Sequence, residues 1–183
     1  REIYVPLLGN HPRQALPLTE IRFGKLFEDR PNIVTYAAKW ESGSPEYQHT
    51  PTAPCLLEDA ALEARLVKTA MEAFAGLECQ DYGRVDLRVT PEGVPYVIDI
   101  NPNCDLHPDA GFAKAARAAG LDYPALATRL VEIALERAHA HGHPTARRKG
   151  PGATRLPDPS NRNVLAGRGG SRDRARRSRA SAE

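Results

Sequence analysis

Polar and apolar residues alternate with a period of two over residues 84–89 and again over 94–101. Val85, Leu87 and Val89 interleave with Arg84, Asp86 and Arg88; Val94, Tyr96, Ile98 and Ile100 interleave with Val97, Asp99 and Asn101. That period predicts two buried strands, and Pro91, Glu92 and Gly93 between them supply the turn chemistry of a hairpin. With Glu92 and Gly93 as a two-residue loop, Asp86 faces Asp99 and Arg84 faces Asn101; a longer loop or a bulge offsets this register. Upstream, "EIYVPLL" reads as a strand over 2–8, Gly9-Asn10 as a turn and "LPLTEIRF" as a second strand over 16–23. "NIVTYAAKW", which contains Lys39, reads as a third extended run. The period then changes to that of a helix. In "LEDAALEARLVKTAMEAFAG" the apolar residues Leu62, Leu66, Ala70 and Phe74 share one face, with Glu58 and Asp59 at the start and Gly76 after the end. Beyond the hairpin come a loop, "NPNCDLHPDAGF", an Ala-rich helix ending at Gly120, and a helix capped by Asp122 whose Leu126, Leu130 and Ile133 share a face. There is no internal repeat, and the order of strands, helix, hairpin and helices points to an α+β fold with a mostly antiparallel sheet.

The hairpin register raises a chemical question. Side chains directly opposite each other lie about 5 Å apart at Cβ, where like charges destabilise a sheet. Asp86 and Asp99 on one face therefore call for positive charge between them. Oxygen ligands from Asp86, Asp99 and Asn101 suit a hard cation such as Mg²⁺, which usually shares its shell with phosphate and water. The alternative is a solvated face balanced by Arg84 and Arg88, and spacing alone does not separate the two.

Composition divides the chain. Of 183 residues 41% are hydrophobic, enough for one domain with a core. Residues 144–183 carry eleven Arg or Lys against three acids, a net of +8, whereas residues 1–143 carry fourteen basic and twenty acidic residues, a net of −6. Leu156, Val164 and Leu165 are the only sizeable apolar side chains of the basic stretch, too few to offset the entropy of ordering forty residues. The expected organisation is a domain over 1–143 and a disordered basic tail over 144–183. Cys55, Cys79 and Cys104 form neither a metal spacing nor an even disulfide framework, so a reducing cytoplasm is the default compartment. No signal peptide or membrane span is legible. The chain opens at Arg1 inside an apparent strand and has one methionine, Met71, from which we expect an amino-terminal part beyond this sequence.

The succession "REIYVPLLGN", "LPLTEI", "YAAKW", "GRVDLRV", "YVIDINPN" and "KAARAAGLDYPALATRLVEIAL" resembles the ATP-grasp ligases, and within them the carboxy-terminal half of D-alanine:D-alanine ligase, over Arg1 to Ala138. The resemblance implies an ATP-dependent ligase joining a small carboxylate to a small amine through an acylphosphate. It implies two Mg²⁺ ions, or Mn²⁺ in their place, bridging the ATP phosphates and held at Asp86, Asp99 and Asn101. Arg84 matches the arginine that stabilises the tetrahedral oxyanion, Lys39 a lysine near the transferring phosphate, and Glu2 an acid that binds the nucleotide ribose. The domain over 1–143 is then a partial ATP-grasp domain whose missing partner is the amino-terminal segment of the same protein, with its phosphate loop and adenine contacts.

Three departures from the family pattern bear on function. Asp99 stands where the family usually has Glu, one methylene shorter, which limits bidentate reach to both ions and leaves monodentate binding. In the substrate loop, Cys104-Asp105 replaces a Pro-Gly pair and Ala110 replaces a Ser. A site that loses a hydrogen-bonding hydroxyl shifts its discrimination by orders of magnitude. Asp105 either pairs with a substrate ammonium or caps a turn near Pro108. Two readings stand beside the ligase: a catalytically incomplete ATP-grasp fragment, and a nucleic-acid-binding module acting through the tail. The tail lacks interleaved aromatics, so such binding would be weak and salt-sensitive. His139, His141 and His143 of "HAHGH" follow a helix, and a frayed helix end accounts for them better than a metal site.

Overall fold

A computed structural model describes residues 1–141. Central to it is a sheet built on β1 (Glu2–Leu8). Two-residue β2 (Gln14–Ala15) and β3 (Thr19–Ile21) both pair antiparallel with β1. A 3-10 turn at Lys25–Phe27 leads to two short helices, α1 (Tyr36–Trp40) and α2 (Pro45–Gln48). The chain returns to the sheet edge as β4 (Thr52–Pro54), then forms α3 (Ala60–Gly76) and the hairpin β5 (Tyr82–Val89) and β6 (Pro95–Asn101). Helices α4 (Gly111–Ala118) and α5 (Tyr123–Ala140) follow. The strand order is β4-β3-β1-β5-β6 with every pair antiparallel, an α+β architecture.

The two faces of the sheet are chemically distinct, because side chains alternate along each strand. Ile3, Val5 and Leu7 of β1 and Val85, Leu87 and Val89 of β5 point to one side, where Leu66, Ala70 and Phe74 of α3 cover them. Burying these side chains removes apolar surface from water at roughly 25 cal/mol per Å², the main favourable contribution to the domain. A second cluster holds Leu8 and Leu16 with Cys104, Phe112, Leu126 and Ile133, docking α4 and α5 at the end of the sheet. The Asp122 side chain accepts from Ala125 N at 2.8 Å, so α5 starts where its cap residue places it.

Several elements differ from expectation. "YAAKW" is a helix and not a strand: the Thr35 hydroxyl accepts from Ala38 N at 3.2 Å, capping a turn that contains Ala37 and Ala38. The strand expected over 16–23 is reduced to Thr19–Ile21, since Pro17 has no N–H to give a ladder. Helix α3 includes Gly76, and Glu78 takes the left-handed position at φ 54°, with Cys79 N on Phe74 O and Glu78 N on Ala75 O. Strand β6 is not buried. It forms the sheet edge, and Tyr96 and Ile98 are 60% and 51% exposed. The disorder expected for 144–183 lies outside the described residues, as does His143. His141 caps α5, its Nδ1 2.8 Å from Arg137 O, and His139 lies within that helix.

Candidate functional site

The opposite face of the sheet carries polar side chains in register. Glu2 and Tyr4 of β1 stand opposite Arg88 and Asp86 of β5, and across the hairpin Arg84 faces Asn101 and Asp86 faces Asp99. This is the expected pairing, reached by a different route. The loop has three residues, Pro91 to Gly93, with Gly93 at φ 79° and hydrogen bonds from Gly93 N to Thr90 O and from Thr90 N to Val94 O. That longer loop pairs Arg88 with Tyr96 and Leu87 with Val97; a bulge at Ile98 then restores Asp86 opposite Asp99.

Asp86 is 4% exposed, while Asp99 is exposed at the edge. The Arg84 guanidinium grips both Asp86 oxygens, Nε at 2.6 Å and Nη2 at 2.8 Å. Burial pushes the Asp86 carboxyl above its ordinary pKa; Arg84 opposes this, Asp99 adds to it, and Lys39 lies near enough to reduce it. Arg84 also stacks on the Tyr4 ring, with Cζ 4.2 Å from the centroid. The Tyr4 hydroxyl donates to Glu2 Oε1 at 2.9 Å, and Arg88 Nε lies 3.3 Å from Glu2 Oε2. Burial and the Glu2 charge push the Tyr4 phenol upward, which keeps its proton available for that bond. Arg88 further donates to Asn32 O, tying the sheet to the segment that leads into α1. Glu2 is thus buried in an ion pair and is no surface acid.

A cleft of about 750 Å³ opens above this face. Lys39 from α1, Arg84 and Asn101 from the hairpin, and Asp105 and Ala110 from the following loop all line it, as do Tyr4, Asp109 and Lys114. Glu2, Asp86 and Asp99 do not line it. Cys104 turns into the second core, 3% exposed, so its neighbour Asp105 faces the cleft. There the Asp105 carboxylate accepts from His107 N at 2.8 Å, the turn-capping arrangement. Ala110 is the N-cap of α4 and offers no side-chain bond to it. Among residues the sequence reading passed over, Tyr4 had a signal, since it shares the period-two face of Glu2; Arg88, read there as balancing charge, instead pairs with Glu2. Asp109 and Lys114 had none.

Two carboxylates and an amide on one sheet face are hard oxygen donors, the chemistry that suits Mg²⁺ or Mn²⁺. Asn101 Oδ1 accepts only from Asn103 N, at 3.2 Å, and so retains a lone pair. Among the described residues no helix is long and apolar enough to cross a membrane.

A model of the D-ala D-ala ligase C-terminus matches residues 1–132. A D-alanine--D-alanine ligase of Moorella thermoacetica is 36% identical over 135 residues, 74% of this chain and 40% of that protein. An uncharacterized protein, y4sG, of Sinorhizobium fredii is 32% identical over 142 residues, 78% of this chain and 40% of its own length. Among solved structures, a D-alanine--D-alanine ligase from Bacillus anthracis superposes with a TM-score of 0.59 at 27% identity, over 77% of this chain and 41% of that one. The chain therefore spans about 40% of the length of the curated relatives it matches. With a match that takes in every strand and helix of the sheet domain up to the middle of α5, the chain belongs to the carboxy-terminal family of D-Ala-D-Ala ligases, within the ATP-grasp ligases.

Proposed function

We propose that the protein is an ATP-dependent carboxylate–amine ligase working through an acylphosphate, with a substrate pair other than two D-alanines. The observation that carries this reading is the polar sheet face, where Arg84, Asp86, Asp99 and Asn101 converge beside a cleft walled by Lys39. In the reaction a substrate carboxylate oxygen attacks the γ-phosphorus of ATP and ADP leaves. The amine then attacks the acyl carbon, the C–N bond forms, inorganic phosphate departs and the amine loses a proton. Negative charge moves between oxygens throughout, so fixed cations aimed at those oxygens supply most of the catalysis.

Asp86, Asp99 and Asn101 would hold Mg²⁺, which when bound neutralises phosphate charge and aligns it for in-line displacement. Lys39 lines the cleft and would meet a phosphate oxygen as charge shifts during transfer. Arg84 would stabilise the oxyanion of the tetrahedral intermediate, and Glu2, buried against Tyr4 and Arg88 and outside the lining of the cleft, would meet a ribose hydroxyl only by opening from that pair. The substrate end differs from the family pattern. Asp105 brings a carboxylate to the cleft and Ala110 brings no hydroxyl, which favours a changed amine or acid while phosphate handling is kept.

The test is phosphate release from ATP by the full-length protein against a panel of amino acids and small carboxylates, with Arg84→Ala in parallel. The expected result is ligation of some pair, poor activity on two D-alanines, and a fall of about a hundredfold in turnover for Arg84→Ala without any loss of ATP affinity. Efficient D-alanyl-D-alanine synthesis would show that the loop departures are tolerated. Lack of ATP-dependent ligation with any pair would favour a catalytically incomplete ATP-grasp protein, the reading to which the shortened Asp99 and the replaced loop lend support.

A further inference from the structure

The Arg84–Asp86 pair conflicts with the roles assigned to its two members. Both Asp86 oxygens are engaged by the guanidinium fork, at 2.6 and 2.8 Å. A carboxylate locked in that fork offers a cation poor geometry, and a guanidinium at that range repels a divalent ion. Arg84 must therefore release at least part of Asp86 for the site to load, and must stay in the cleft, where its task lies.

What remains to hold it is Tyr4. The ring lies 4.2 Å beneath the guanidinium carbon, and Tyr4 is opposite Asp86 in the β1–β5 register, so one aromatic face spans the position that Arg84 covers. The ring cannot swing away. Its hydroxyl is tied to Glu2, whose second oxygen meets Arg88, and both Tyr4 and Glu2 are 5% exposed. A buried aromatic face attracts a guanidinium most strongly when no carboxylate neutralises it.

We propose that Tyr4 is a positioning residue whose ring carries the Arg84 guanidinium when Asp86 turns from Arg84 to a divalent cation. The inference rests on the ligase reading, because it takes Asp86 as a metal ligand. It assigns two separable tasks to one side chain: the hydroxyl orients Glu2, and the ring keeps Arg84 over the cleft.

The experiment replaces the ring charge without replacing its shape. In the full-length protein Tyr4→Phe is the reference, and the same ring carrying one, two and three fluorines weakens the electron-rich face stepwise. Binding of Mn²⁺ with ADP is followed by electron paramagnetic resonance, turnover in the ligation assay, and folding by thermal melting. We expect Mn²⁺ affinity and turnover to fall together by about tenfold across the series, the melting temperature staying level. Arg84→Met should shift Mn²⁺ affinity the other way, upward, because the competitor for Asp86 is gone. Mn²⁺ affinity that ignores fluorination, or that does not rise in Arg84→Met, overturns the proposal while leaving the ligase reading in place. A reference protein and parent that bind no Mn²⁺ with ADP overturn both.

Discussion

Gly83 is the position at which packing and the candidate site meet most tightly. It lies on β5 facing the α3 side of the sheet, and a Cβ there would sit 2.5 Å from Phe74 Cε2, 2.9 Å from Phe74 Cζ and 2.8 Å from the backbone oxygen of Asn101. Ordinary van der Waals separation for such atoms is about 3.5 Å, so each neighbour must yield by several tenths of an ångström or more. Neither yields cheaply. Phe74 is fully buried in the main core, and Asn101 is held opposite Arg84 in the hairpin ladder. Overpacking a core costs about 1–3 kcal/mol, and two rigid neighbours place Gly83→Ala at the upper end, about 3 kcal/mol. For a domain of this size that lowers the melting temperature by about 9 °C. Asn101 is also a candidate metal ligand, so its displacement should reduce ligation by on the order of tenfold or more. Thermal melting by circular dichroism tests the first part. Adding Phe74→Leu should recover part of the loss, because the ring clash is removed and the two changes are then not additive. A Gly83→Ala protein that melts within about 2 °C of its parent, or a double variant whose losses simply add, would refute the packing argument.

Two further outcomes are expected. Burial pushes the Cys104 thiol up to about 11, and the side chain is 3% exposed, so an aromatic disulfide reagent at pH 8 should label Cys55 and Cys79 while Cys104 reacts only on unfolding; rapid labelling of all three in the folded protein would contradict the placement of the loop between β6 and α4. Asp81 is raised by burial but lowered more by its bonds to Arg137 and Asn10, ending below its ordinary value of 3.8. A lowered carboxyl stabilises above its unfolded pKa and loses that contribution as pH falls through the folded one, so the stability gap between parent and Asp81→Asn should be constant above pH 5 and close below 3.8. Denaturant titrations at each pH measure it, and a gap that widens on acidification would reverse the sign.

Much of this protein is decided locally. Strand β1, helix α3 and the Asp122 cap of α5 follow from periods and caps contained within a few residues, and the same period sets Glu2 beside Tyr4 on one strand and Asp86 beside Arg88 on another. The family resemblance was legible for a similar reason, since its motifs are short runs whose residues act side by side. What the chain could not show in one dimension depends on neighbours distant in sequence. Strand β6 alternates like a buried strand, yet it is an edge because no further described strand pairs with it. The "YAAKW" segment carries strand-forming residues before it and still turns helical, since no ladder reaches it and the Thr35 cap does. The three-residue loop and the Ile98 bulge cancel, an outcome that turn residues alone do not fix. The engagement of Arg84 with Asp86 and its seat on Tyr4 are likewise tertiary: only when β1 lies beside β5 does burial strip water from these charges and leave each the other as its nearest partner.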